Sequence, residues 1–390
     1  MRVLFTSTPG YGHVQPMLPL ARAFEAAGHT VGIAVHASLG ARVEAAQLTA
    51  FPAGSSFDEW FAELSRRHPG QPWEALPPAR ILEWFLPRLF GEIGAEVMLA
   101  GLLAIGEHWR PDLIVHETFE LAGPVCASVM GVPSVHHTLG PLPTSEALRL
   151  AAAATAPLRH QHDLDSIATV GDDAAACVDI CPPSLRTAPP TRNGHILSVR
   201  PMPAPPAASE RLPRWVEEHA DRPLVHATLG TTLMNHEQSL LASVISGLRD
   251  EPVNLVVTVG PENDPDAFGA QPDNVHVARY IPHSLLLPRC ALVIEHGGAG
   301  TMLGALGHGL PLLTIPQGAD QYINADVCAR RGVGRTLLTA EVTPPTVRDA
   351  VRCLLDDQAY AGRAREVQAE IASMPAPHEV VASLETSAHG

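Results

Sequence analysis

Three short stretches of this 390-residue chain hold side chains whose types and spacing could do chemistry. The first is T-P-G-Y-G-H-V-Q-P, Thr8 to Pro16, just behind an apolar run. His13 stands where a helix is about to begin, and the positive end of a helix dipole favours neutral imidazole. Neutral imidazole accepts a proton near neutral pH, so His13 is a candidate general base. Such a base needs a partner on its other ring nitrogen. Glu117, at the end of the apolar run 113–117, is the candidate, with Glu120 a weaker one. A carboxylate there would fix the tautomer and stabilise the imidazolium as it forms. The stretch fails as a dinucleotide fingerprint, because Gln15 stands where the third glycine belongs and the next strand ends at His36 rather than at an acid.

The second stretch is H-G-G-A-G-T at 296–301. Glycines let backbone N–H groups come close to an anion, and a helix N-terminus adds about half a positive charge. His296 can donate a further hydrogen bond. Thr228, Gly230 and Thr231 close another strand and can face the same anion. This pattern predicts phosphate binding that needs neither metal nor lysine. The third stretch, P-Q-G-A-D-Q-Y-I-N-A at 316–325, sets the Asp320 carboxylate beside the Gln321 amide, a combination suited to adjacent sugar hydroxyls. Its distance behind the glycine loop, not the pair itself, gives it weight.

Composition narrows the classes. Lysine is absent, since all 26 basic residues are arginine. Schiff-base aldolases, pyridoxal-phosphate enzymes and P-loop NTPases each need a lysine amine and are excluded. The 41 acidic residues bring the net charge to −15 with no basic run, which suits nucleic acid poorly. The six cysteines are scattered, and Cys177 and Cys181 lack a second pair at zinc spacing, so reduced thiols in a cytoplasmic protein are expected. The triplets D-L-D at 163–165 and D-P-D at 264–266 follow no clear strand, so no metal site is expected. The opening residues read as a strand, not a signal peptide. No run of eighteen apolar residues is free of charge, which predicts no membrane span.

The chemistry needs elements to hold it. RVLFTS (2–7) reads as a strand, followed by the first glycine stretch and a helix over 16–27, with Pro16 at its first position and Gly28 capping its end. TVGIAVH (30–36) completes a βαβ unit, and 109–117 and 132–138 read as further strands. Prolines crowd the segment from Cys181 to Pro213, which reads as an interdomain connection. The same grammar restarts with strands at 223–230, 253–260, 275–281, 291–295 and 310–316. The strands are apolar almost throughout, as in parallel sheets covered on both faces. The expectation is an α/β chain of two Rossmann-like domains facing a cleft, with ligands at the carboxyl ends of the strands. Its boundaries are 1–205, a linker at 206–222, and 223–390, the last helix packing back on the first domain.

Taken together, H-G-G-A-G-T, P-x-G-A-D-Q-x-x-N-A, R-Y-I-P at 279–282 and G-x-G-H-x-x-P resemble the signature of family 1 glycosyltransferases with the GT-B fold. The resemblance covers essentially the whole chain and is strongest to actinobacterial enzymes that decorate polyketide and enediyne natural products. It implies that His296 and the amides of Gly298, Gly300 and Thr301 hold a pyrophosphate. Tyr280 and Ile281 would lie against the nucleobase, Asp320 and Gln321 would bind the donor sugar, and His13 would be the catalytic base. Family members that use UDP-sugars commonly carry an acid for the ribose hydroxyls where this chain has Gly304. Deoxythymidine lacks the 2′-hydroxyl, so a dTDP-sugar is expected rather than a UDP-sugar, with no other cofactor and no metal. The acceptor would be an apolar aglycone, with the aromatics of 57–61, Trp73 and 82–90 as candidates to line its pocket. Relatives are often dimers, so a homodimer is a possible assembly. The reaction would be an inverting transfer to a hydroxyl. The alternatives are a nucleotide-sugar epimerase on the same fold and a non-catalytic helper of another glycosyltransferase.

Overall fold

In the computed structural model, residues 1–70, 76–187, 195–203, 210–218, 221–230, 238–260 and 263–389 are described. They form two compact units, each built on its own parallel sheet.

The first unit comprises Met1–Cys181, Arg186–Arg200 and Met374–Gly390. Its strands are β1 (Arg2–Thr6), β2 (Thr30–Val35), β3 (Thr49–Pro52), β4 (Leu113–Glu117), β5 (Ser134–His137), β6 (Ala176–Asp179) and β7 (His195–Ser198). They pair in parallel in the order β3-β2-β1-β4-β5-β6-β7. Every residue of β4, β5 and β6 is buried, which is why those runs carry no polar alternation. Behind β1 the chain turns helical earlier than expected. A short helix α1 (Tyr11–Val14) contains His13, Gln15–Met17 tightens into a 3₁₀ turn, and α2 (Leu18–Ala26) follows. Pro16 therefore sits in the 3₁₀ turn, and Pro19 occupies the first turn of α2.

Helix α3 (Phe57–Arg67) is started by a capping box, the Ser56 hydroxyl taking the Glu59 N–H while the Glu59 carboxylate takes the Ser56 N–H. A longer helical run follows: α4 (Pro78–Phe85), a π-helical segment Leu86–Gly94, and α5 (Ala95–Trp109). The 30 residues Arg80–Trp109 are long and apolar enough to cross a membrane by composition alone. Leu86, Leu89, Ile93, Met98, Leu99 and Leu102 in that run are all buried, as in a core helix. Helices α6 (Ala122–Met130) and α7 (Ser145–His160) complete this part. The C-terminal helix (Pro377–His389) returns to pack on α2. There His29 Nε2 lies 2.6 Å from Glu385 Oε1, and its Nδ1 lies 3.2 Å from the Met1 amine.

The second unit comprises Pro182–Leu185 and Pro201–Ser373. Its strands are β8 (Leu224–Thr228), β9 (Asn254–Thr258), β10 (Val275–Ala278), β11 (Leu292–Glu295), β12 (Leu312–Thr314) and β13 (Gly334–Thr336), all parallel in the order β10-β9-β8-β11-β12-β13. Part of the expected linker is built into this unit. A short helix, Arg214–Glu218, stacks Trp215 on His276 at 3.9 Å and buries Val216 with Leu224, Val256, Ile281 and Leu286. An indole and a valine with apolar partners are worth more folded than left on a connection.

Candidate active site

In the first unit the site gathers at the carboxyl ends of β1 and β4. Glu117 closes β4 and is fully buried, while His13 is 23% exposed. His13 Nδ1 lies 2.9 Å from Glu117 Oε1, which also accepts from the Thr8 hydroxyl at 3.0 Å. Glu117 Oε2 accepts from the Phe119 N–H at 2.6 Å. Burial drives this carboxyl up, but the His13 charge and hydrogen bond, with the Phe119 and Thr8 donors, outweigh it and hold Glu117 below its ordinary range. An ionised carboxylate on Nδ1 selects the tautomer with hydrogen there and puts the imidazole lone pair on Nε2.

Glu120, the weaker candidate, does other work. It accepts from the Thr6 hydroxyl and, at 2.9 Å, from the N–H groups of Ala122 and Gly123 that open α6. Burial raises its carboxyl to about 7.

Three phenyl rings surround His13: Phe119 at 5.3 Å between centroids, Phe57 at 6.2 Å, and Phe90 at 6.4 Å and nearly parallel. Phe61 and Phe85 extend the aromatic wall beyond Phe57. Gly10 is dictated by this packing, since a Cβ there would come 2.9 Å from the His13 ring and 3.0 Å from Phe57. Trp73, also expected near an acceptor, lies outside the described residues.

In the second unit His296 follows β11, and the glycine loop opens helix α8 (Ala299–Leu306). Its N-cap residue, Gly298, offers no side chain, so no side-chain acceptor caps the first-turn amides. His296 is 7% exposed, its Nδ1 is buried without a hydrogen-bond partner among the described residues, and burial with His283 nearby lowers it to about 4. It is therefore neutral at working pH. Each glycine has its own reason. Gly297 has φ +92, and a Cβ would sit 2.7 Å from the Gln321 carbonyl. At Gly298 a Cβ would run into the His296 ring, while at Gly300 it would meet nothing within 4 Å.

The residues of the Asp320 loop are tied to this glycine loop by contacts that the sequence does not reveal. Asn324 Nδ2 donates to the Gly297 carbonyl at 2.7 Å and to Asp320 Oδ2 at 3.0 Å. Glu295 accepts from the Gly297 N–H and, at 2.9 Å, from the Thr314 hydroxyl. Burial pushes the Glu295 carboxyl up to about 7. Gln321 is buried, and its Oε1 accepts from the N–H groups of Gln317 at 2.8 Å and Gly318 at 3.2 Å. Asp320 occupies the N-cap position of helix α9 (Gln321–Arg331) without a side-chain cap bond, directly after Ala319 at φ +51.

The remaining candidates are placed as follows. Thr228 ends β8, and its hydroxyl lies 3.4 Å from the N–H of Gly230, which has φ +80. Thr231 lies outside the described residues. Tyr280 is 60% exposed, whereas the Ile281 side chain is buried in the core. Of the D-x-D triplets, Asp264 caps a turn by accepting from Asp266, and Asp163 adopts φ +56. Among the described residues no group of three or more His, Cys, Asp or Glu is arranged to hold a metal.

One Rossmann-like unit thus carries a histidine held on a buried glutamate, and the other a glycine-opened helix N-terminus tied to the Asp320 loop. The profile described as Erythromycin biosynthesis protein CIII-like, N-terminal domain, matches residues 22–230, and its C-terminal counterpart matches 243–386. The chain belongs to the erythromycin biosynthesis protein CIII-like family. It is a glycosyltransferase with the GT-B fold. Among CIII-like relatives, L-demethylnoviosyl transferase of Streptomyces niveus is 33% identical, covering 98% of this chain and 97% of that one. The 3-alpha-mycarosylerythronolide B desosaminyl transferase of Saccharopolyspora erythraea is 27% identical, over 100% and 99%. Of solved structures, glycosyltransferase VinC in complex with dTDP superposes with a TM-score of 0.80 at 26% identity, covering 100% of both chains. Spinosyn rhamnosyltransferase SpnG complexed with thymidine diphosphate gives 0.80 at 28% identity, over 99% and 100%.

Proposed function

We propose that this CIII-like enzyme moves a sugar from a dTDP-sugar donor to a hydroxyl of an apolar natural-product aglycone, with inversion at the anomeric carbon. The observation that carries the proposal is the 2.9 Å contact of His13 Nδ1 with a buried, ionised Glu117. His13 Nε2 takes the acceptor proton as the acceptor oxygen attacks, and Glu117 stabilises the resulting imidazolium. In the second unit the diphosphate leaves onto the amides of Gly298, Gly300 and Thr301 with a hydrogen bond from His296. That arrangement meets the leaving-group charge without a divalent cation, so turnover is expected to survive EDTA. Thr228, Gly230 and Thr231 line the phosphates, Tyr280 and the Ile281 backbone meet the base, and Asp320 and Gln321 bind the sugar. Gly304 offers no carboxylate for a ribose 2′-hydroxyl, and a Cβ there would lie 3.4 Å from Leu287 Cδ1, an ordinary contact.

The aromatic wall about His13 suits a greasy acceptor. All six cysteines are free thiols, which supports a cytoplasmic protein. Calorimetry with dTDP and UDP tests the donor assignment. Tighter binding of dTDP is expected, and a clear preference for UDP would sink it.

A further inference from the structure

Phe90 lies on the π-helical segment Leu86–Gly94, where the Ala95 N–H reaches back to the Phe90 carbonyl. A π-turn takes an extra residue and re-aims the side chains around it, and such turns gather at functional sites. Here the segment is fixed on two sides by glycines. A Cβ at Gly91 would sit 2.7 Å from the Ala154 methyl on α7, and one at Gly94 would sit 2.7 Å from the Trp60 ring on α3. Wedged between those neighbours, the turn lays the Phe90 ring almost parallel to His13, at 25° and 6.4 Å. Phe90 also packs against Phe119 at 5.3 Å, Phe57 at 6.2 Å and Trp60 at 6.1 Å. It is 9% exposed.

A histidine ring can rotate half a turn about its last side-chain bond, and rotation would put Cδ2 where Nδ1 meets Glu117. Phe90 stacks over the His13 ring and Phe57 and Phe119 stand at steep angles to it, with centroids 6.4, 6.2 and 5.3 Å away, so the ring turns against aromatic neighbours. We infer that Phe90 is a positioning residue that locks the His13 ring with Nδ1 on Glu117, and that the π-turn exists in this chain to deliver it. The inference rests on the reading of His13 as the base, but its geometry stands apart from catalysis.

The test is side-chain ¹⁵N NMR of the full chain, with the His13 signals identified by their loss in His13→Ala. In the unsubstituted protein the two His13 ring nitrogens should be widely separated in shift, as for a single locked tautomer. In Phe90→Leu they should move toward each other as the ring samples both orientations, and in Phe90→Tyr the separation should return. Unchanged His13 shifts in Phe90→Leu overturn the inference. If Phe90→Leu also disturbs the buried His116 signals, Phe90→Met, which keeps the apolar volume, decides by the same two outcomes. A fully active His13→Ala enzyme would remove the base reading while leaving this measurement intact, so the two failures are distinguishable.

Discussion

At the His13 ring, two nitrogens have different tasks, and the Glu117 contact separates them. His13→Ala is expected to lower the rate of glycoside formation ~10²–10⁴-fold, the range for losing a general base. Chromatography of the product with a dTDP-sugar measures the rate, and dTDP affinity by calorimetry should hold, because the residues proposed to bind the phosphates belong to the other unit. Glu295 offers a second residue-scale outcome, through pH. Its carboxyl is raised to about 7 in the folded chain from an ordinary value of 4.5. Across that window the folded state holds a proton that the unfolded state has released, so its contribution to stability falls as pH rises from 4.5 to 7. Glu295→Gln can still accept from Gly297 and donate to Thr314. The variant should therefore lose less unfolding temperature than the parent between pH 5 and pH 8 in thermal melts. Equal losses in both proteins would contradict the assignment.

The glycine loop and its helix show how one element divides its sequence between folding and binding. Gly297 and Gly298 are required by the protein itself, one by its positive φ and the other by the His296 ring, whereas among the described residues nothing lies within 4 Å of a Cβ at Gly300. Gly300→Ala should keep or slightly raise the melting temperature, since alanine favours a helix by up to about 1 kcal/mol. It should weaken dTDP binding measurably by calorimetry. Gly297→Ala should lower the melting temperature outright. Elements of this kind were legible because a strand, a glycine turn and a helix each leave a local pattern. The lines of β4, β8, β9 and β11 stood out as apolar runs. β3, β6, β7 and β13 are three or four residues long, too short to display a period. The π-turn was invisible for another reason, since its cause is packing against Ala154 and Trp60, far away in sequence. Asn324 stands in its motif with no role that the local pattern displays, because its partner Gly297 lies 27 residues back.

For the whole molecule, the chain does not divide at a single point. The first unit needs Met374–Gly390, and the second takes in Pro182–Leu185. The sequence signals a proline-rich change of domain and a last helix that returns to the first domain, but not that the second unit takes in Pro182–Leu185; the return depends on contacts such as Arg200 N–H to the Pro375 carbonyl at 2.8 Å. A hybrid enzyme that takes only residues 201–373 from a CIII-like relative should therefore melt near the parent. One that takes 201–390 exchanges the helix bearing Glu385 and should melt lower unless the relative supplies a partner for His29. Differential scanning calorimetry of the two hybrids reads the difference.

The trio of Met1 amine, His29 and Glu385 also bears on synthesis. Domains usually fold in the order in which the ribosome releases them. In this chain the first sheet is made before the second, yet its α2 face stays uncovered until Pro377–His389 has been translated. The second unit, completed by Ser373, is the first whose full set of residues is available, and the first unit is finished last.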